Sequence, residues 1–275
     1  MIDSAFLWRL LLSFLVGGGW IAAATLAADR LGSRIGGFLS GLPSTVVVTF
    51  FFIGLGQGTE AAAQATTVFP MAFAVTGLFL LAFAVLSRGS FAAGFSAALV
   101  LWVVLSALIL ILKPNRFGWS LAVYAVVLAA SIGLTGSVLR LPKAQHGGGR
   151  HSPLQVAARA VFGGLIIVVA VLLSRIGGPV FGGVFAGFPA VFVSTLVIGF
   201  REHGLDFARA IVRPMLLTGM ITIGIYGIGV RLLYPVFGLI RGTVLSFLLS
   251  LVAGVFVFIL LRPQAGGAPA SSGGH

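Results

Sequence analysis

The chain has 275 residues, of which 59% are hydrophobic and 8% charged, with a mean hydropathy of +1.16. Soluble domains carry roughly 25% charged residues, so a water-soluble fold is excluded. The complete lack of cysteine rules out disulfides, thiol catalysis and cysteine metal sites. A net charge of +12 on such a chain reads as surface meeting anionic lipid, and implies no nucleic-acid partner.

Hydropathy and Gly/Pro punctuation predict nine crossings, over 6–28, 36–56, 65–86, 91–112, 118–139, 158–174, 180–200, 211–232 and 243–261. A cleaved signal peptide is the alternative for the first, because Arg9 precedes an apolar run and small residues follow at 22–28. That run is longer than a usual signal core and has a full counterpart in the second half. The second segment holds Gly36-Gly37 and Gly41-Leu42-Pro43, and the seventh holds Gly182-Gly183 and Gly187-Phe188-Pro189. A shift of about 146 residues lays one motif on the other, and also places Gly17-Gly18 on Gly163-Gly164, Thr49 on Thr195, Gly58 on Gly204 and Glu60 on Asp206.

The chain is therefore read as a doubled unit: a first four-helix repeat at 1–114, a connector helix at 115–140, a cytoplasmic linker at 141–157, a second repeat at 158–262 and a disordered tail at 263–275. An even unit followed by one extra crossing starts its second copy from the opposite face. The expected fold is an all-α polytopic membrane protein of about nine transmembrane helices, with two inverted four-helix repeats. Under nine crossings the N-terminal face holds Arg9, Lys113, Arg116, Arg175, Arg231 and Arg241. The other holds Arg30, Arg34, Arg88, Arg140, Lys143, Arg150, Arg159, Arg201, Arg209, Arg213 and Arg262. The positive-inside rule then puts the N-terminus out and the C-terminus in.

Chemistry-bearing residues are few. The acids are Asp3, Asp29, Glu60, Glu202 and Asp206, and the four histidines form no HxxxH or HExxH pair. No catalytic residue, metal site or cofactor motif is expected, and the chain is read as not an enzyme. Prolines inside crossings free backbone carbonyls, expected near Leu39 and Ser40 and near Phe185 and Ala186. Such groups are tolerated at depth when buried or lining a wet cavity. Two broken helices at matching places of inverted copies point to a substrate or ion pathway through Ser40, Gly41, Pro43, Ser44, Thr45, Thr49, Gly187, Pro189, Ser194 and Thr195. The competing reading is packing alone: Gly37 and Gly41, or Gly183 and Gly187, form small-xxx-small faces, and each hydroxyl bonds its own helix.

Gate or coupling candidates are Asp29, Glu60, Asp206, Arg209 and Arg213. Glu202 with Asp206, and Arg209 with Arg213, stand at i,i+4. They form either an anion-attracting entrance or a solvated loop whose arginines meet lipid phosphate. Asp29 is expected to neutralise Arg30 or Arg34, with ion coupling as the alternative.

The stretch 182–211, with Ala-Gly-Phe-Pro at 186–189, Val-Ile-Gly-Phe-Arg-Glu-His-Gly-Leu-Asp at 197–206 and Ala-Arg-Ala at 208–210, resembles the GlpM-type family of small four-helix bacterial inner-membrane proteins. Ser-Gly-Leu-Pro at 40–43 and Gly-Thr-Glu at 58–60 resemble it less closely, and Leu55 and Ala63 stand where the second copy has Arg201 and Arg209. The resemblance implies two such units, fused, in a bacterial or archaeal cytoplasmic membrane. The function expected is that of a secondary transporter, permease or flippase-like carrier for a small or amphiphilic solute. A non-transporting scaffold of another complex is the alternative, and a channel ranks third. Expected partners are membrane lipid, that solute and a second copy of the chain in a homodimer.

Overall fold

A computed structural model describes the backbone of residues 3–139, 141 and 151–260, and their side chains except 31–40, 137, 138 and 260. The Ser40 side chain, the stretch 142–150 and the tail 263–275 lie outside the described residues.

All regular structure among the described residues is helical. Helix α1 runs Ser4–Ser40, α2 Ser44–Gln57, α3 Thr59–Ala65, α4 Phe69–Leu86, α5 Phe91–Leu112 and α6 Phe117–Gly133, the last running into a π-helical turn at Leu134–Val138. After the linker come α7 Pro153–Gly177, α8 Pro179–Ala186, α9 Ala190–Ala210, α10 Val212–Pro214, a π turn at Met215–Gly219 and α11 Met220–Leu260. Seven helical stretches among the described residues are long and apolar enough to cross a membrane, so the chain is a polytopic all-α membrane protein.

Helix ends follow their local chemistry. Ser90 caps α5 by accepting from the Ala93 N–H at 3.4 Å. Ser152 and Gln155 form a reciprocal capping box around Pro153 at the first turn of α7. That box starts the helix within 153–157, where the sequence reading placed linker. Four glycines end helical segments with left-handed φ and extended ψ, a region that a side chain rarely enters: Gly58 (φ 94°), Gly178 (90°), Gly204 (82°) and Gly238 (74°). Gly58 and Gly204 are repeat mates, as are Pro43 (φ −75°, ψ 48°) and Pro189 (φ −77°, ψ 46°) that open α2 and α9.

Two of the long helices are hairpins. On a straight helix Thr222 and Ser250 would stand about 42 Å apart, yet the Ser250 hydroxyl donates to the Thr222 carbonyl at 2.8 Å. The chain reverses at Gly238, and the buried chain Tyr226–Tyr234–Thr243, with hydroxyls 3.2 and 2.8 Å apart, fastens the turn. In the first copy Val48 lies against Gly17, so the chain also reverses between Arg30 and Ser44.

The two copies meet at their glycine pairs. A Cβ on Gly17 would overlap Ile167, and one on Gly163 would overlap Ile21, the repeat mate of Ile167. A Cβ on Gly18 would stand 3.0 Å from the Ala160 carbonyl oxygen, and one on Gly164 3.0 Å from that of Phe14, the mate of Ala160. Swapped contacts of this kind require α1 and α7 to run antiparallel about a two-fold axis perpendicular to both. Small residues let the backbones approach, as in membrane helix pairs generally.

Phe6 packs under Arg175 at 5.8 Å and Phe117 under Arg231 at 5.6 Å. Asp29 meets His151, Gln155 meets Glu202 and Arg209 meets Ala84. Helices α5 and α6 and the second arm of α11 turn rows of large apolar side chains outward, including Ile111, Val126 and Val252, as a lipid-facing perimeter requires.

Candidate functional site

The two interruptions face one another. A cavity of about 20 Å³ lies between them, bordered by equivalent positions of the two copies: Leu42 and Phe188, Ser44 and Ala190, Thr45 and Val191, Val46 and Phe192. That space holds a water molecule and little more. Ser44 and Thr45 give the first copy's wall hydroxyls where the second has only Ala190 and Val191.

The carbonyls of Gly41 and Gly187 bond outside their own helices, one residue beyond those expected. Phe185 O still accepts from the Phe188 N–H at 3.1 Å, because the chain tightens into a three-residue turn before the proline. The Gly187 carbonyl accepts from the Thr76 hydroxyl at 2.6 Å, and the Gly41 carbonyl from the Thr222 hydroxyl at 2.5 Å. Thr76 and Thr222 are also repeat mates. Each copy therefore satisfies the broken helix of the other, and a buried carbonyl left bare would cost about 1–3 kcal/mol. Thr76 is itself held by the Trp102 indole N–H at 3.1 Å, while the backbone of Thr222 is held by Ser250.

A second polar cluster lies at one end of the bundle, 151–159 against α1 and α9. The His151 backbone N–H donates to Asp29 Oδ2 at 3.0 Å, and its Nδ1 lies 2.6 Å from Asp29 Oδ1. On the far side of the ring, Nε2 is 3.3 Å from Arg159 Nη1, and Arg159 Nη2 donates to the Thr195 hydroxyl at 3.1 Å. Asp29 is thus engaged by His151, where the sequence suggested Arg30 or Arg34; Arg30 is exposed, and the Arg34 side chain lies outside the described residues. A cavity of about 30 Å³ opens beside Arg159 and His151 and shares Ser44 and Val191 with the central one.

The other expected residues divide clearly. Thr49 donates to Thr45 O at 2.8 Å, and Ser194 to Val191 O at 2.9 Å, each within its own helix. Thr195 does so too, donating to Val191 O at 2.7 Å, but also receives Arg159. Pro43 and Pro189 stand at the N-caps of α2 and α9. Glu60 is exposed and accepts from Gln64 at 3.3 Å. Asp206 and Arg213 are exposed, while Arg209 Nε donates to Ala84 O at 3.4 Å near the C-terminal end of α4. These four stay away from the central cavity. Sequence reasoning missed Thr76, Thr222, His151 and Arg159. The repeat shift that pairs Gly41 with Gly187 also pairs the two threonines, and the Ser152–Gln155 box would have moved Arg159 from the first turn of its helix to the second.

Residues 10–115 match the model of a family described as a protein of unknown function (DUF3147). The match spans the first copy, from early α1 to just past the end of α5. No curated protein and no solved structure matches the chain. Among the described residues no three His, Asp or Glu side chains gather as metal ligands.

Proposed function

We propose that the chain is a secondary transporter, a permease or flippase-like carrier that moves a small or amphiphilic solute by rocking its two inverted copies, without an enzymatic step. The observation that carries this reading is the reciprocal bonding of Gly187 O by Thr76 and of Gly41 O by Thr222. Each bond joins the interruption of one copy to the third helix of the other. Rocking one copy against the other exchanges these bonds for water or solute at the point where the backbone is open. Ser44, Thr45 and the two freed carbonyls are then the polar groups that a solute meets. The sequence likeness to GlpM-type proteins supports a bacterial or archaeal cytoplasmic membrane, and loop charge supports an outward N-terminus and an inward C-terminus.

A scaffold that does not transport is the second reading, favoured by the size of the cavities, about 20 and 30 Å³, against the roughly 300 Å³ or more of ordinary ligand pockets. The chain has no cysteine, so single probes separate the two readings without knowledge of the solute. Thr45→Cys and Ala190→Cys, in sealed vesicles of either orientation, react with a membrane-impermeant thiol reagent from both sides in a carrier. A scaffold leaves both thiols unreactive from either side, and that result ends the carrier reading.

A further inference from the structure

Among the described residues Arg159 is the only buried charged side chain, 7% exposed, six residues into a membrane-spanning helix. A cation at such depth is costly and ordinarily sits against a carboxylate. Here the guanidinium touches two neutral acceptors, His151 Nε2 and the Thr195 hydroxyl, and its buried Nε has no acceptor among the described residues. Asp29 acts on it by charge across the imidazole that stands between them, without a direct contact. The cavity of about 30 Å³ beside it is lined by Ala24, Thr25, Ala28 and Ser44, together with His151. An under-coordinated guanidinium facing a small space with hydroxyls on its wall has the chemistry of an anion site.

We propose that this cavity binds a small monovalent anion, of halide or formate size, held by Arg159, and that protonation of His151 releases Arg159 to take it. The contacts fix the imidazole: Nδ1–H donates to the Asp29 carboxylate, and Nε2 accepts from Arg159. In that state Asp29 and Arg159 cancel and the cluster is neutral. A proton on Nε2 removes the acceptor, sets two N–H donors against each other, and leaves a net charge of one positive unit. One monoanion at Arg159 restores neutrality, so the site takes up proton and anion together. Among the described residues Asp29 from α1 and Arg159 from α7 contact His151 directly, Glu202 from α9 accepts from Gln155 on the same turn of α7 at 2.5 Å, and Arg30 is exposed. The proposal deepens the carrier reading by naming a solute class, and rests on it only for the step from binding to movement.

The test is the thermal stabilisation of the full chain in lipid nanodiscs by sodium chloride or sodium formate, against sodium gluconate at equal ionic strength, near pH 5 and pH 8, the range over which histidine ordinarily titrates. The wild type is expected to bind chloride or formate several-fold more tightly at the lower pH. Arg159→Gln binds neither, and His151→Ala binds equally at both values. Ala24→Leu, which fills the cavity and leaves Arg159 in place, also binds neither and serves as the control if Arg159→Gln fails to fold. No anion-specific stabilisation of the wild type at either pH overturns the site, as does unchanged binding in Ala24→Leu or in folded Arg159→Gln. Retained pH dependence in His151→Ala overturns the proton linkage. The thiol-accessibility result at Ala190 is independent of all these, so loss of the anion site and loss of the carrier reading are distinguishable.

Discussion

The surroundings of Arg159 and their image in the other copy show what duplication kept and what it let diverge. Under the repeat shift Arg159 becomes Ser13, whose hydroxyl merely donates to Leu10 O in its own helix at 2.8 Å. Ile21, Ala24, Thr25 and Ala28 become Ile167, Ala170, Val171 and Ser174, all but fully buried, and Ser174 accepts from Gln57 at 3.2 Å. The backbone frame is repeated, with the same glycines at the crossing, the same prolines at the breaks, the same threonines closing them, and left-handed Gly58 and Gly204 at equivalent places. The charge is one-sided. Under the carrier reading proposed above, the one-sided charge is what would let a ligand distinguish the two packings that rocking exchanges.

The largest expected effect tests the frame. Gly17→Leu and Gly163→Leu each drive a side chain into an isoleucine of the facing helix, and each should destabilise the protein by about 1–3 kcal/mol, read from thermal melts in detergent. The two losses are expected to be equal; a large inequality breaks the symmetry of the crossing. Next come the threonines. Thr76→Val and Thr222→Val each bare a buried carbonyl at about 1–3 kcal/mol, with Thr76 the more costly because the Trp102 N–H loses its acceptor as well. A smaller loss at Thr76 than at Thr222 would contradict that accounting. The smallest effect sharpens the contrast in charge. Arg159→Met removes a buried cation whose hydrogen-bond partners are both neutral, so stability is expected to stay within about 1 kcal/mol of the wild type. Ser13→Ala should change it by no more than about 0.5 kcal/mol. A marked loss in Arg159→Met means that the cation is structural.

Much of the frame was legible because glycine and proline act through the backbone. Gly41, Pro43, Gly187 and Pro189 mark the breaks by missing donors and missing side chains, whatever packs around them. The identity of the freed carbonyls was less legible, since the turn before Pro189 keeps the Phe185 carbonyl bonded and Gly187 O is the one that turns to another helix. The partners of those carbonyls were hidden for a different reason. Thr76 and Thr222 lie on other helices of the opposite copy, and a shift in sequence aligns mates without saying which of them touch. Arg159 already stood in the crossing expected over 158–174, and a helix opening at Pro153 moves it from the end of that crossing to its second turn, where it is buried.

The inversion of the copies is the claim on which the rest depends, and its most direct test uses two exposed repeat mates. Glu60→Cys and Asp206→Cys, each alone in the cysteine-free chain, are labelled in sealed, uniformly oriented vesicles with an impermeant maleimide. Inverted copies place the two thiols on opposite sides, so one labels before the vesicles are opened and the other only after. Labelling of both from the same side would contradict the account.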